Sequence, residues 1–153
     1  MIKFLLKSKS ILIIFLISFI FSKQSYSNEF DKVSACAGVV MGDGAAELRD
    51  LQNEKNFDNA FELAIKAFYG EGLSYPRSNE DIVIAENIIA SNVDKIFMQP
   101  EWTAEVYEEV IRCYRILGLK VLEKSDLIKN NIDMINQYLN KYKVRLKRMI
   151  NAK

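Results

Sequence analysis

Residues 125–149, SDLIKNNIDMINQYLNKYKVRLKRM, set Ile128, Ile132, Ile135, Leu139, Tyr142, Leu146 and Met149 at alternating steps of four and three. A helix turns once in 3.6 residues, so those steps hold a single apolar seam on one side of it for three heptads. Ser125 or Asp126 is expected to cap this helix. A seam that long cannot stay in water unpartnered, so the rest of the chain must supply helices to cover it.

Working back toward the N-terminus, the same period recurs. Trp102, Val106, Val110, Cys113, Leu117 and Val121 form a stripe behind Pro100, a residue suited to a helix's first turn. Ser78 followed by Asp81 reads as a capping box with Asp in place of Glu. It opens a helix carrying Ile82, Ala85, Ile88 or Ile89, Val93 and Ile96, which Gln99 and Pro100 terminate. Asn56 is expected to cap a helix bearing Phe57, Phe61, Ile65 and Phe68, with Gly70 and Gly72 as its stops and a loop to Arg77. Phe30, Val33, Ala37, Val40, Leu48 and Leu51 share another helical face, with Cys36 beside it. Gly42 and Gly44 cost that helix about 1 kcal/mol each relative to Ala, which predicts one bent helix or two short ones. No segment alternates with period two between turn signals, so no sheet is expected. The chain therefore predicts an all-α bundle of four or five helices, forming a single domain over residues 28–153.

The first 27 residues carry a different signature. Lys3, Lys7 and Lys9 precede an unbroken apolar run from Ile11 to Phe21, and Ser25 and Ser27 place small side chains before a cut. This is the pattern of a secretory signal peptide, with cleavage expected after Ser27. The apolar run falls well short of the roughly 20 residues a spanning helix needs. The alternative is an uncleaved inner-membrane anchor that also uses Met1 to Leu6. Val33, Ser34 and Ala35 precede Cys36 as in a lipid-modified cysteine, but Lys23, Glu29, Asp31 and Lys32 separate it from the apolar run. Both the signal and the anchor place the domain outside the cytoplasm, periplasmic or secreted.

In that oxidising setting two cysteines have one intramolecular pairing, Cys36 with Cys113. Closing a loop of nearly eighty residues is worth roughly 4 to 5 kcal/mol in the chain-entropy model. Both cysteines lie on or beside apolar stripes, so the bond is expected to be a buried staple.

Composition narrows function mainly by exclusion. The 153 residues hold 21 Lys and Arg, 20 Asp and Glu, and no His. Imidazole-based triads, proton shuttles and His-ligated metal sites are therefore impossible in this chain. Loss of Lys3, Lys7, Lys9 and Lys23 with the signal leaves a net charge of −3, which offers no electrostatic case for nucleic acid. Gly42, Asp43 and Gly44 do not complete a dinucleotide fingerprint, because Glu47 stands where a third glycine belongs and no strand precedes them. Glu101, Glu105, Glu108 and Glu109 cluster near a helix start, where acids complement the helix dipole. No metal, cofactor or catalytic residue is assigned.

Two features suit an interaction surface. Tyr75 and Arg77, in the loop after Gly72, are residue types favoured as interface anchors. Tyr142, Arg145 and Arg148 sit on a basic, amphipathic C-terminal helix with Lys141, Lys143 and Lys147, suited to a partner's acidic groove or an anionic membrane surface. The expectation is a non-catalytic envelope interaction module or accessory subunit with a protein partner. The rival expectations are a carrier of a small apolar ligand in a bundle cavity and a hydrolase built on carboxylates alone.

Overall fold

The computed structural model describes residues 28–151, so the expected signal peptide and its cleavage point lie outside the described residues. Within them the chain forms six helices and no strand: α1 (28–51), α2 (Glu54–Gly72), α3 (Asn79–Phe97), α4 (Ala104–Glu123), α5 (Ser125–Asn130) and α6 (Ile132–Asn151). The all-α class and the Cys36–Cys113 disulfide are as expected. The count exceeds the expected four or five, because the C-terminal seam is divided between two helices.

The central element is α1. Phe30, Val33, Ser34, Cys36, Ala37 and every residue from Gly38 to Ala46 are buried, on all sides of the helix and not along one stripe. Its one buried hydroxyl is satisfied locally, since Ser34 Oγ donates to the Phe30 carbonyl at 2.7 Å. Of the two expected forms, one bent helix or two short ones, a single helix is found, running unbroken through Gly42 and Gly44. Those glycines are seats for other helices: a Cβ on Gly42 would stand 2.8 Å from Ile96 Cβ, and one on Gly44 would stand 2.8 Å from Ala60 Cβ. A Cβ on Gly38 would strike the Ile89 carbonyl oxygen and lie 2.7 Å from Asn92 Cβ. Close approach of α3 and α2 therefore offsets the low helix propensity of these positions.

Contacts at both ends of each helix fix its direction. Gly38 meets Ile89 and Asn92 while Gly42 meets Val93 and Ile96, so α3 runs parallel to α1. Phe30 stacks on Phe68 while Gly44 meets Ala60, so α2 runs the opposite way. Cys113 is bonded to Cys36, Tyr114 to Asp43 and Lys120 to Glu29, which makes α4 antiparallel to α1. Tyr69 stacks on Tyr138 while Glu54 pairs with Lys147, so α6 opposes α2 and runs with α1 and α3.

Element ends follow local chemistry, in places one turn away from expectation. Gln52 turns the chain at φ 52°, and Asn53, not Asn56, caps α2 by accepting from the Asn56 N–H at 3.2 Å. Gly70 and Gly72 close α2 without a left-handed residue. Gly70 lets Ile128 and Lys124 approach, and Gly72 faces the Phe30 ring. The capping box at α3 is formed as expected, with Ser78 and Asp81 exchanging bonds of 3.0 and 3.1 Å. Pro100 is outside α4, whose cap is Thr103, accepting from the Val106 N–H at 3.4 Å. Trp102 lies before the helix and packs edge-on against Tyr107.

The unbroken seam of residues 125–149 does not make one helix. At Asn131 the backbone leaves helical geometry (φ −121°, ψ 19°) while its side-chain amide donates to the Leu127 carbonyl at 2.8 Å. Asn competes with the helix ladder for such carbonyls, which the apolar period cannot register. Neither Ser125 nor Asp126 serves as a cap, because α5 follows α4 directly through Lys124. Ile128, Ile135 and Leu139 are buried, Tyr142 and Leu146 are half-buried and Met149 is exposed, so the seam opens toward its end.

The disulfide ties the central helix to α4 with Cα atoms 4.8 Å apart, and both cysteines are buried. No helix among the described residues is long and apolar enough to cross a membrane.

Candidate interaction face and cleft

Two faces of α4 are apolar. Val106, Val110, Cys113 and Leu117 point inward and are buried, as the stripe requires. On the outer side Tyr107, Ile111, Leu119 and Leu122 are 55%, 59%, 61% and 73% exposed. At about 100° per residue, Tyr107, Ile111, Gly118 and Leu122 lie within about 60° of one another and form one row, with Leu119 on its flank. Solvent-facing positions of a bundle helix are ordinarily polar, and these four large apolar side chains depart from that pattern.

Gly118 stands in that row with no packing role inside the fold. A Cβ there would meet nothing within 4 Å, in contrast to Gly38, Gly42 and Gly44. The exposed face was legible only as surplus: Tyr107, Ile111, Leu119 and Leu122 are apolar positions of α4 left over once the core stripe has been assigned.

The second feature is a cleft of about 350 Å³ between α3 and α6. Its floor is Met41 of α1 with Phe61, Ile65 and Phe68 of α2, and its walls include Ala90, Val93, Leu146 and Met149. Glu86, Asn87, Asp94, Tyr142 and Arg145 supply its polar groups. Tyr142 Oη bridges the walls by donating to Glu86 Oε1 at 2.9 Å. Burial, with the neighbouring Glu86 carboxylate, pushes the Tyr142 phenol up to about 12, so it remains a donor. The cleft exists because its walls hang from different supports. Glycines seat α3 on α1, whereas α6 packs on α2, with Tyr138 stacked on Tyr69, Lys143 2.7 Å from Asp58 and Lys147 3.8 Å from Glu54.

The residues singled out in the sequence separate into three places. Tyr142 and Arg145 line the cleft, whereas Arg148 is exposed on α6 outside it. Tyr75 and Arg77 join neither. The Arg77 guanidinium lies over the Phe30 ring at 4.2 Å and near the Tyr75 ring at 5.9 Å, so this pair fastens the α2–α3 loop to the core. Of the basic residues on α6, Lys143 and Lys147 are committed to acids of α2, and Lys147 also reaches the Phe57 ring. In the acidic cluster Glu109 pairs with Lys95 at 2.8 Å, and no group of three or more metal-ligating side chains occurs among the described residues.

Two buried polar networks lie near the disulfide's helices. Tyr114 Oη donates to Asp43 Oδ2 at 2.6 Å. Burial raises the Asp43 pKa and the nearby Glu47 adds to it, although the Tyr114 bond works the other way. Glu71, also buried, has Lys120 at 3.5 Å and Lys124 at 3.9 Å. Burial opposes the Lys120 charge, but bonds to Glu29 and Glu123 and the Glu71 carboxylate outweigh it and hold its pKa up. This network fastens α4 and α5 to α1 and α2 at the end where the described chain begins.

No protein-family model, curated protein or solved structure matches the chain.

Proposed function

We propose that the protein is an exported, non-catalytic interaction module of the cell envelope, whose outer α4 face receives an apolar helix of a partner protein. The observation that carries this reading is Gly118 within the exposed row of Tyr107, Ile111 and Leu122, flanked by Leu119. A glycine inside a helix costs about 1 kcal/mol against Ala, and nothing inside the fold uses the space it leaves. A second helix crossing at that point would use it, because a position without a side chain lets two backbones approach closely while the flanking side chains interlock. The exposed Glu105 and Glu108 toward one end of the row and Arg112 and Arg115 at its middle supply both charge signs for fixing the partner's register. Export is supported by the signal-like first 27 residues together with a buried disulfide, a bond that persists in oxidising compartments.

The test is site-specific photocrosslinking in cells. Photoreactive residues at Ile111 and Leu119 are expected to yield an adduct of the same discrete mass, absent with the probe at Lys55 or Glu80 and lost when Gly118→Leu is added. No adduct at either position, or only an adduct of twice the chain's own mass, would overturn the partner reading.

A further inference from the structure

We propose that the cleft between α3 and α6 is a binding site for a medium-length fatty carboxylate, with the chain in the apolar trough and the head group on Arg145. The cleft's volume of about 350 Å³ falls in the range of small-ligand pockets. Its floor and long walls are hydrocarbon: Phe61, Ile65 and Phe68 below, Ala90 and Val93 on one side, Leu146 and Met149 on the other. Ala90 is exposed on the α3 wall, where its small side chain keeps the trough open.

The charged groups facing the cleft are two acids, Glu86 and Asp94, and one base, Arg145. Glu86 accepts from the Tyr142 hydroxyl, which bridges the walls at one end of the trough, and Arg145 is the one cationic side chain in the lining. Because α3 and α6 run parallel, Arg145 lies one turn beyond that bridge. Asp94 is eight residues past Glu86, about 12 Å along α3. Arg145 is exposed and forms no ion pair among the described residues, whereas Lys143 and Lys147 on the same helix both do. A carboxylate at Arg145 therefore gains a planar, two-pronged donor at that end, and its chain runs over Ala90, Val93 and Leu146 toward Met149. None of the lining residues belongs to α4, so this site and the outer face of α4 stand or fall separately.

The experiment is isothermal titration of the signal-free, disulfide-intact protein with octanoate, decanoate and dodecanoate below their micelle concentrations. Saturable one-to-one binding is expected, tightening about fourfold with each methylene the cleft buries. Arg145→Gln is expected to weaken decanoate about three- to fivefold and leave decanol unchanged, as for an exposed charge pair. Ala90→Phe fills the trough and is expected to abolish binding, while Arg148→Gln leaves it as it was. Ala90, Arg145 and Arg148 are exposed helix positions, so circular dichroism of each variant should match the parent. The proposal is overturned by absence of saturable binding, by decylammonium binding as tightly as decanoate, or by Arg145→Gln or Ala90→Phe binding decanoate like the parent.

Discussion

Placing the same substitution at two glycines separates a helix seat from the exposed face of α4. Gly38→Ala and Gly118→Ala each replace a helix-interior glycine that has an ordinary negative φ, so both gain about 1 kcal/mol of helix propensity. At Gly118 nothing opposes the gain, since the new Cβ meets no atom within 4 Å. The variant should be more stable by about 1 kcal/mol, a rise in melting temperature of roughly 3–5 °C for a domain of this size. At Gly38 the new Cβ strikes the Ile89 carbonyl oxygen and stands 2.7 Å from Asn92 Cβ. The carbonyl is backbone, so relief requires α3 to back away from α1, loosening Val93 and Ile96 against Gly42 as well. Overpacking of this kind costs about 1–3 kcal/mol, and because propensity cancels, that cost is the whole difference between the two variants. Urea unfolding of residues 28–153 with the disulfide intact, followed by circular dichroism, measures it, provided the m-values agree. Stabilities within 0.5 kcal/mol of each other, or a Gly118→Ala variant weaker than the parent, would refute the assignment of these glycines.

Three further outcomes are expected. Cys113→Ser should lose about 4.5 kcal/mol, the chain-entropy value for a span of 77 residues, and an unchanged melting temperature under oxidising conditions would show that the bond is not a staple. Asp43 has a raised pKa in the folded state, so its contribution is fully present below the unfolded value of 3.8 and is lost as pH rises through the folded value. Asp43→Asn keeps an acceptor for Tyr114 and removes the buried charge. Its stability should therefore fall less than the parent's between pH 4 and 7, and parallel pH profiles would contradict this. Leu139→Asp buries a carboxylate on the one seam that holds α6, which should cost several kcal/mol in thermal unfolding. Tolerance would mean that α6 packs elsewhere.

Much of the helical plan is carried by features that act within a few residues. The capping box of Ser78 and Asp81 and the core stripe of α4 depend only on local hydrogen bonding and a 3.6-residue period, and both are found where that period puts them. The disulfide was legible for another reason: with two cysteines in an oxidising setting, elimination leaves a single pairing. Where local signals compete, the period is silent. Asn131 divides a seam of perfect spacing, because its side chain takes up a carbonyl left by the helix.

The candidate sites were legible only in fragments. Tyr142 and Arg145 stand out in the sequence as parts of a basic helix, but the cleft they line also needs Phe61 and Ile65 from α2 and Ala90 from α3. Tyr75 and Arg77 have the chemistry of interface anchors, yet Phe30 lies in reach of Arg77 and takes it up. The glycines mark the division most clearly. Sequence determines that Gly38, Gly42, Gly44 and Gly118 each weaken a helix, since propensity is a property of the residue in its own turn. Only the tertiary structure decides which of them seat a neighbouring helix and which one faces open space, because that depends on a backbone brought close from elsewhere in the chain.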